Sequence, residues 1–88
     1  MNYILSAHAQ EQLIKPERKI PRDVFERMMV SPEQVVFDEY GGIVYQSRFV
    51  AQSGKAYLLR AFINNSVEPV IVKSVYITSK IKKYWEES

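Results

Sequence analysis

The sequence predicts an α+β domain, with two N-terminal helices packed on a four-stranded antiparallel meander sheet and a short C-terminal helix. Three observations lead to this fold class. Apolar residues recur at helical spacing in the first thirty residues, the period changes to two near residue 35, and residues 69–85 read as an apolar strand leading into a basic helix. With 88 residues, 47% of them hydrophobic and 25% charged, the chain is expected to form one globular domain spanning residues 1–88.

Two helices are predicted before residue 32. Ser6 is a suitable N-cap for the segment AHAQEQLI, and Pro16 ends that helix because the residue before a proline is disfavoured in the α region. Pro21 opens the second helix, since proline is tolerated in a first turn, and Pro32 follows its end. The second helix carries a core-facing apolar stripe: Val24, Phe25, Met28 and Met29.

Turn residues divide the following segment into four strands. The pair Gly41 and Gly42 signals a hairpin, and two further turns occur at residues 52–54 and 64–66. The predicted strands begin at Val35 and then cover residues 43–50, 55–63 and 70–77. The last strand is β-branched and aromatic on both faces, which is typical of a central strand.

The C-terminal helix is predicted to follow this last strand without a linker. Thr78 or Ser79 offers a hydroxyl N-cap, and free N–H groups at a helix start make this junction a plausible place for chemistry on an anion. One face of the helix is apolar and is assigned to packing: Ile81, Tyr84 and Trp85. The other face is basic: Lys80, Lys82 and Lys83.

Charge and composition exclude several classes of function. The net charge is +2, with five basic and seven acidic side chains in residues 1–44 (a difference of −2) and seven basic and three acidic in residues 45–88 (+4). This asymmetry permits a basic surface but lacks the strong positive charge of a dedicated nucleic-acid binder. With no cysteine, disulfides and thiolate sites are excluded, and His8 with Glu11 supplies only two metal ligands. We expect no metal, no cofactor, no membrane span and a cytoplasmic location.

Two residues stand out as candidates for chemistry. Arg60 interrupts the apolar strand YLLRAFI, where a guanidinium needs a partner or a ligand, and Ser74 or Tyr76 of the next strand is expected close to it. Arg60 either stabilises phosphate, or is paired within the protein to Asp38, Glu39 or a backbone carbonyl, or reaches solvent at a sheet edge. His8, the single histidine, lies in a first helical turn, where the helix dipole favours a neutral ring that accepts a proton; the alternative is a surface or capping residue.

Three segments together resemble a known group of proteins. The segments are ILSAHA at residues 4–9, RKIPRDVF at residues 18–25 and VYITSKIKKYW at residues 75–85. They resemble a small uncharacterised bacterial domain family that looks related to the RelE-like and BrnT-like toxin ribonucleases, within the group that links barnase, EndoU, colicin-type nucleases and RelE. The resemblance covers nearly the whole chain and implies a RelE-like fold.

The resemblance also implies an activity and its residues. The activity is metal-independent RNA cleavage by attack of the ribose 2′-hydroxyl on the adjacent phosphate, with an antitoxin protein as partner and RNA, including messenger RNA, as substrate. The catalytic residues carried over are His8, Arg60 and Tyr76. The substrate-binding residues carried over are Arg18, Thr78, Ser79 and Lys80. Two positions depart from the family pattern: Gln12 stands where an arginine is usual, and Lys19 where glycine is common.

Two functions therefore remain open on the sequence. The first is a toxin-antitoxin endoribonuclease that uses the residues above. The alternative is a catalytically inactive RelE-like binding module, which would hold a protein partner or form a homodimer through the strand at residues 70–77 and the C-terminal helix.

Overall fold

The computed structural model describes residues 2–87. These residues form three α-helices and five strands, joined with one 3-10 turn at Pro16–Arg18. In chain order the elements are β1 (Tyr3–Leu5), α1 (Ala7–Ile14), α2 (Arg22–Val30), β2 (Gln34–Phe37), β3 (Ile43–Val50), β4 (Ala56–Asn64), β5 (Val70–Thr78) and α3 (Ile81–Tyr84). The α+β class predicted from the sequence is confirmed.

The predicted four-stranded antiparallel sheet is wrong, because the sheet has five strands and is mixed. Its order is β1-β5-β4-β3-β2, in which β2 to β5 pair antiparallel and β1 pairs parallel with β5. β1 lies before the first helix, and its three residues are too few to show an alternating pattern. Its addition places β5 between two strands, as the apolar run of β5 predicts.

The two N-terminal helices begin and end where the local signals place them. Ser6 Oγ accepts a hydrogen bond from the Ala9 N–H at 3.0 Å, and Lys15, before Pro16, leaves the helical region with ψ of 116°. Pro21 is the N-cap of α2, and α2 ends at Val30. Lys19 closes the intervening 3-10 turn in the left-handed conformation, with φ of 55°.

The helices and the sheet share one apolar core. The buried residues of α1 and α2 pack on one face of the central strands, in a cluster of Ala9, Leu13, Phe25, Met28, Met29, Leu59, Ala61, Ile63, Val72 and Val75. We call this the helix-side face of the sheet. Burial of this many apolar side chains is the main stabilisation of a domain of this size.

The opposite face of the sheet is partly covered by α3 and the residues after it. Leu58 and Arg60 of β4 and Val44 of β3 are buried there. α3 begins at Ile81 with Lys80 as its N-cap, so the predicted N-cap at Thr78 or Ser79 is wrong. Thr78 is the last residue of β5, and its Oγ1 accepts a hydrogen bond from the Lys80 N–H at 3.1 Å.

Candidate functional site

The side chain of Arg60 is the centre of a polar cluster on the face of the sheet opposite the helices. Arg60 lies on β4, in register with Gln46 of β3 and Tyr76 of β5. Its Nε donates to Gln46 Oε1 at 3.0 Å, and its Nη1 donates to the Tyr76 hydroxyl at 2.8 Å. In an antiparallel sheet, residues directly opposite each other point to the same face, so the register itself brings the three side chains together.

Arg60 is a nearly buried cation that no carboxylate neutralises within residues 2–87. Its exposed fraction is 7%, and the ion pairs formed among these residues involve other arginines and a lysine. The alternative that Arg60 pairs with Asp38, Glu39 or a backbone carbonyl is not what the structure shows, since its partners are a side-chain amide and a phenol. A buried charge normally has an opposite charge nearby, so a ligand anion would complete this arrangement.

One edge of the guanidinium is open to solvent. Among the described residues, no side-chain nitrogen or oxygen is both fully buried and without a hydrogen-bond partner. Arg60 Nη2 makes no hydrogen bond to residues 2–87, so it keeps contact with solvent. A guanidinium presents its N–H groups in a fixed fork that matches two oxygens of a phosphate or carboxylate.

Three aromatic rings lie close to the guanidinium of Arg60. The Arg60 Cζ lies 4.1 Å from the centroid of the Tyr84 ring, 5.5 Å from Phe62 and 5.9 Å from Tyr76. Contacts of this kind stabilise a cation by about 0.5–2 kcal/mol each. Tyr84 thus covers one side of the cation, and α3 is the element that places it there.

The two tyrosines of the cluster have opposite pKa shifts. Burial raises the pKa of the Tyr76 hydroxyl, against the lowering effect of the Arg60 guanidinium. The neighbouring Tyr76 hydroxyl, followed by Lys83, holds the pKa of Tyr84 below its usual value of 10.0. Tyr76 is therefore neutral at pH 7, and its oxygen accepts a hydrogen bond from Arg60.

A second set of hydrogen bonds holds the C-terminal segment against the sheet. Gln46 Nε2 donates to the Tyr84 carbonyl at 3.1 Å and to Gln34 Oε1 at 2.7 Å. Gln34 in turn accepts from the Glu86 N–H and donates to the Glu86 carbonyl. Arg48 adds a contact of 4.1 Å between its Cζ and the Trp85 ring. The position of Tyr84 over Arg60 thus depends on two glutamines that lie in the sheet.

His8 is not joined to this cluster by any hydrogen bond within residues 2–87. It is exposed in the first turn of α1, one turn before Gln12 on the same side of the helix. Gln12 is 6% exposed, and its Oε1 accepts from the Val75 N–H at 2.7 Å and from Ser74 Oγ at 3.3 Å. His8 therefore lies on the side of α1 that faces the edge of β5, where its ring is free to meet a ligand.

The remaining predicted site residues lie at two places. Arg18 is exposed at the end of the 3-10 turn between the helices. Ser79 and Lys80 are exposed between β5 and α3, and Thr78 is half-buried beside them. The Arg60 cluster is therefore flanked by the junction of β5 with α3, while Arg18 belongs to the helical layer.

Sequence reasoning missed Gln46 and Tyr84 as members of the site. Gln46 is fully buried, but it shares its strand face with Arg48 as well as with Val44 and Val50, so no local apolar pattern marks it as a site residue. Tyr84 was assigned to packing because it shares a helical face with Ile81. Its ring does pack, but on the guanidinium of Arg60.

Two grooves of about 770 and 850 Å³ lie elsewhere, along α2 and β3, and Arg60 lines neither of them. Within residues 2–87, no three histidine or acidic side chains lie close enough together to hold a metal ion. None of the helices in that part of the chain has the length and hydrophobicity that crossing a bilayer requires.

Comparisons with protein-family models, with curated proteins and with solved structures find no match to this chain. The site must therefore be interpreted from its own geometry and chemistry.

Proposed function

We propose that this chain is a RelE-like endoribonuclease that cleaves RNA without a metal, with Arg60 as the residue that binds the scissile phosphate. The observation that carries the proposal is the state of Arg60, a cation 7% exposed, without a carboxylate partner among the described residues and with Nη2 open to solvent. A phosphodiester supplies the missing negative charge and the two oxygens that the guanidinium fork binds.

The proposed reaction is an internal transfer at phosphorus. The ribose 2′-oxygen forms a bond to phosphorus and loses its proton to a base, while the bond from phosphorus to the 5′-oxygen breaks and that oxygen takes a proton from an acid. The products are a 2′,3′-cyclic phosphate and a 5′-hydroxyl. Arg60 stabilises the charge that develops on the phosphorane, where preorganised donors have their largest effect.

The proposed acid lies on β5 and the proposed base on α1. Tyr76 is the proposed acid, since it is neutral at pH 7 and its oxygen is already oriented by Arg60 at 2.8 Å. His8 is the proposed base, reaching the substrate from α1. Thr78, Ser79 and Lys80 contact phosphates next to the cleaved one, and Arg18 contacts RNA further away. The proposal includes a cytoplasmic location, RNA such as messenger RNA as substrate, and an antitoxin protein that blocks the site.

One observation favours a second candidate, the inactive binding module. The Tyr84 ring lies 4.1 Å from the Arg60 guanidinium, and Gln12 uses its side chain to satisfy the backbone of β5. In this alternative, Arg60 is a structural cation that fixes α3, and residues 80–87 bind a protein partner.

The test is cleavage of a defined RNA by the purified protein, with the product ends identified. Arg60→Lys keeps the charge but loses the fork, and removing one preorganised donor is expected to slow cleavage by about 10²–10³-fold. Loss of a general acid or base in Tyr76→Phe or His8→Ala is expected to slow it by about 10²–10⁴-fold. Lys82→Gln, on the exposed face of α3, is the matched control and is expected to cleave at the wild-type rate.

Two outcomes would contradict the proposal. Folded wild-type protein that leaves RNA intact, and does not slow growth when expressed alone, excludes an endoribonuclease. Cleavage that is equal in the wild type and Arg60→Lys excludes Arg60 as the phosphate ligand. In that case, loss of partner capture in a Tyr84→Ala, Trp85→Ala double variant, with no effect of His8→Ala, identifies the binding module.

A further inference from the structure

The outer strand β2 leaves an unpaired sheet edge and an exposed apolar surface. Four large apolar side chains are clustered in sequence on β2, on the end of α2 and on the turn after β2. We call them the β2 strip: Val30 (69% exposed), Val35 (54%), Phe37 (77%) and Tyr40 (89%). They are half of the eight large apolar side chains that are exposed among the described residues. Apolar surface next to an open strand edge is typical of an interaction site.

The strip continues the helix-side face of the sheet beyond the cover of the helices. Val35 pairs with Tyr45 and Phe37 with Ile43, and both β3 residues pack against the core. Val35 and Phe37 therefore point to the same face as the core. α2 packs on β3 and does not extend over β2, so these two side chains lie just outside the protein's own core.

We infer that the β2 strip is occupied by a second copy of this chain, with the two β2 strands paired antiparallel about a two-fold axis. Such an axis keeps the helix-side faces of both sheets on the same side. If it passes through Val36, Val35 of each copy lies opposite Phe37 of the other, and the two sheets join into one of ten strands. Both apolar cross-strand pairs then cover surface that neither copy covers alone.

The charges around the strip include one like-charged pair in this register. Gln34 lies opposite Asp38 of the second copy, which is a neutral–acidic pair. Glu39 lies opposite Glu33 of the second copy, and Glu33 is already paired with Arg48 at 3.0 Å. Arg48 therefore offsets the repulsion between the two carboxylates.

The size of the strip fits a reversible dimer. Aromatic side chains have areas of about 150–250 Å², and at the exposures above the strip presents on the order of 400 Å² per copy. Two strips together with the backbone of two strands approach the roughly 1,200 Å² at the low end of specific interfaces. A dissociation constant of about 1–100 μM is expected for a small interface of this kind.

Neither β5 nor β1, the strands toward the other edge of the sheet, offers a comparable apolar surface beside a long open strand edge. β5 is flanked by β4 and, over Val70–Val72, by β1, and Gln12 takes the Val75 N–H just beyond β1. β1 has only three residues, and Gln10 Nε2 donates to its Leu5 carbonyl at 3.2 Å. This inference concerns assembly and does not depend on RNA cleavage.

The test is sedimentation of the full chain from about 1 to 300 μM, with circular dichroism to confirm that each variant is folded. We expect the wild type to pass from monomer to dimer, and Val35→Lys or Phe37→Lys to raise the dissociation constant at least 10-fold. Ile14→Lys is the matched control, because Ile14 is an equally exposed apolar residue (72%) on α1. It is expected to dimerise like the wild type.

The register is tested by disulfide formation, since the chain contains no cysteine of its own. Copies carrying Val35→Cys mixed with copies carrying Phe37→Cys should form a mixed disulfide faster than either does alone. A wild type that stays monomeric at 300 μM overturns the inference. So does a dimer that Ile14→Lys weakens as much as Phe37→Lys does, or a monomer whose strip instead captures a different protein.

Discussion

Replacing Gln12 by methionine removes a hydrogen-bond acceptor from the edge of β5 while keeping nearly the same side-chain volume. In the wild type, Gln12 Oε1 lies 2.7 Å from the Val75 nitrogen and 3.3 Å from Ser74 Oγ. Val75 is fully buried, so its N–H has no access to water when this acceptor is lost.

The expected cost follows from that burial. An orphaned buried N–H costs about 1–3 kcal/mol, whereas a nearly isosteric apolar replacement adds little cavity cost. We therefore expect Gln12→Met to lower the free energy of unfolding by about 2 kcal/mol. With a urea m-value of about 1–1.5 kcal/mol/M for a chain of this size, the unfolding midpoint falls by roughly 1.3–2 M.

Urea denaturation at pH 7 measures this change, and hydrogen exchange locates it. In Gln12→Met, the protection of the Val75 amide against hydrogen exchange is expected to fall by more than the change in global stability accounts for. Gln10→Met is the control, because Gln10 is exposed on the same helix and is expected to change stability by less than 0.5 kcal/mol. If the free energy of unfolding of Gln12→Met lies within 0.5 kcal/mol of the wild-type value, the hydrogen bond to Val75 has no stabilising role.

Two further predictions concern Lys19 and Glu33. Lys19→Gly is expected to raise the free energy of unfolding, measured by thermal or urea denaturation, by about 0.5–1 kcal/mol. The reason is that Lys19 has φ of 55°, a backbone conformation that glycine adopts without steric cost. Lys19→Ala keeps that steric cost and should therefore show no gain in stability. Arg48 lowers the pKa of Glu33 below its ordinary 4.5, so their pairing stabilises the fold above pH 4.5 and is lost as the pH falls through the lower, folded-state pKa. The urea midpoint should therefore fall less between pH 7 and pH 3 in Glu33→Gln than in the wild type. An equal fall in both proteins would show that the pair of Glu33 with Arg48 does not stabilise the fold.

The helices and the four long strands could be predicted because their signals are local. Ser6, Pro16 and Pro21 act on the backbone within a few residues, and the two glycines at 41 and 42 mark a hairpin by themselves.

Non-local pairing explains what was missed. β1 is three residues long, and its partner Val70 is 67 positions away from Tyr3, so nothing near it in sequence marks it as a strand. Gln46 and Tyr84 were missed as site residues for the same reason. Gln46 joins Arg60 through the register of β3 and β4, and Tyr84 reaches Arg60 only because the chain turns back over the sheet after β5.

The sequence by itself determined the α+β class, the boundaries of the two N-terminal helices, the central position of residues 70–77 and the choice of Arg60 as a residue that needs a partner. These follow from short-range backbone preferences and from the rule that an apolar strand must be covered on both faces. Only the tertiary structure decided that Arg60 has an amide, a phenol and an aromatic ring as partners, that Gln12 supports the edge of β5, and that β2 is left open. Each of these depends on contacts between residues distant in sequence, and burial and pairing of that kind arise only when the chain folds.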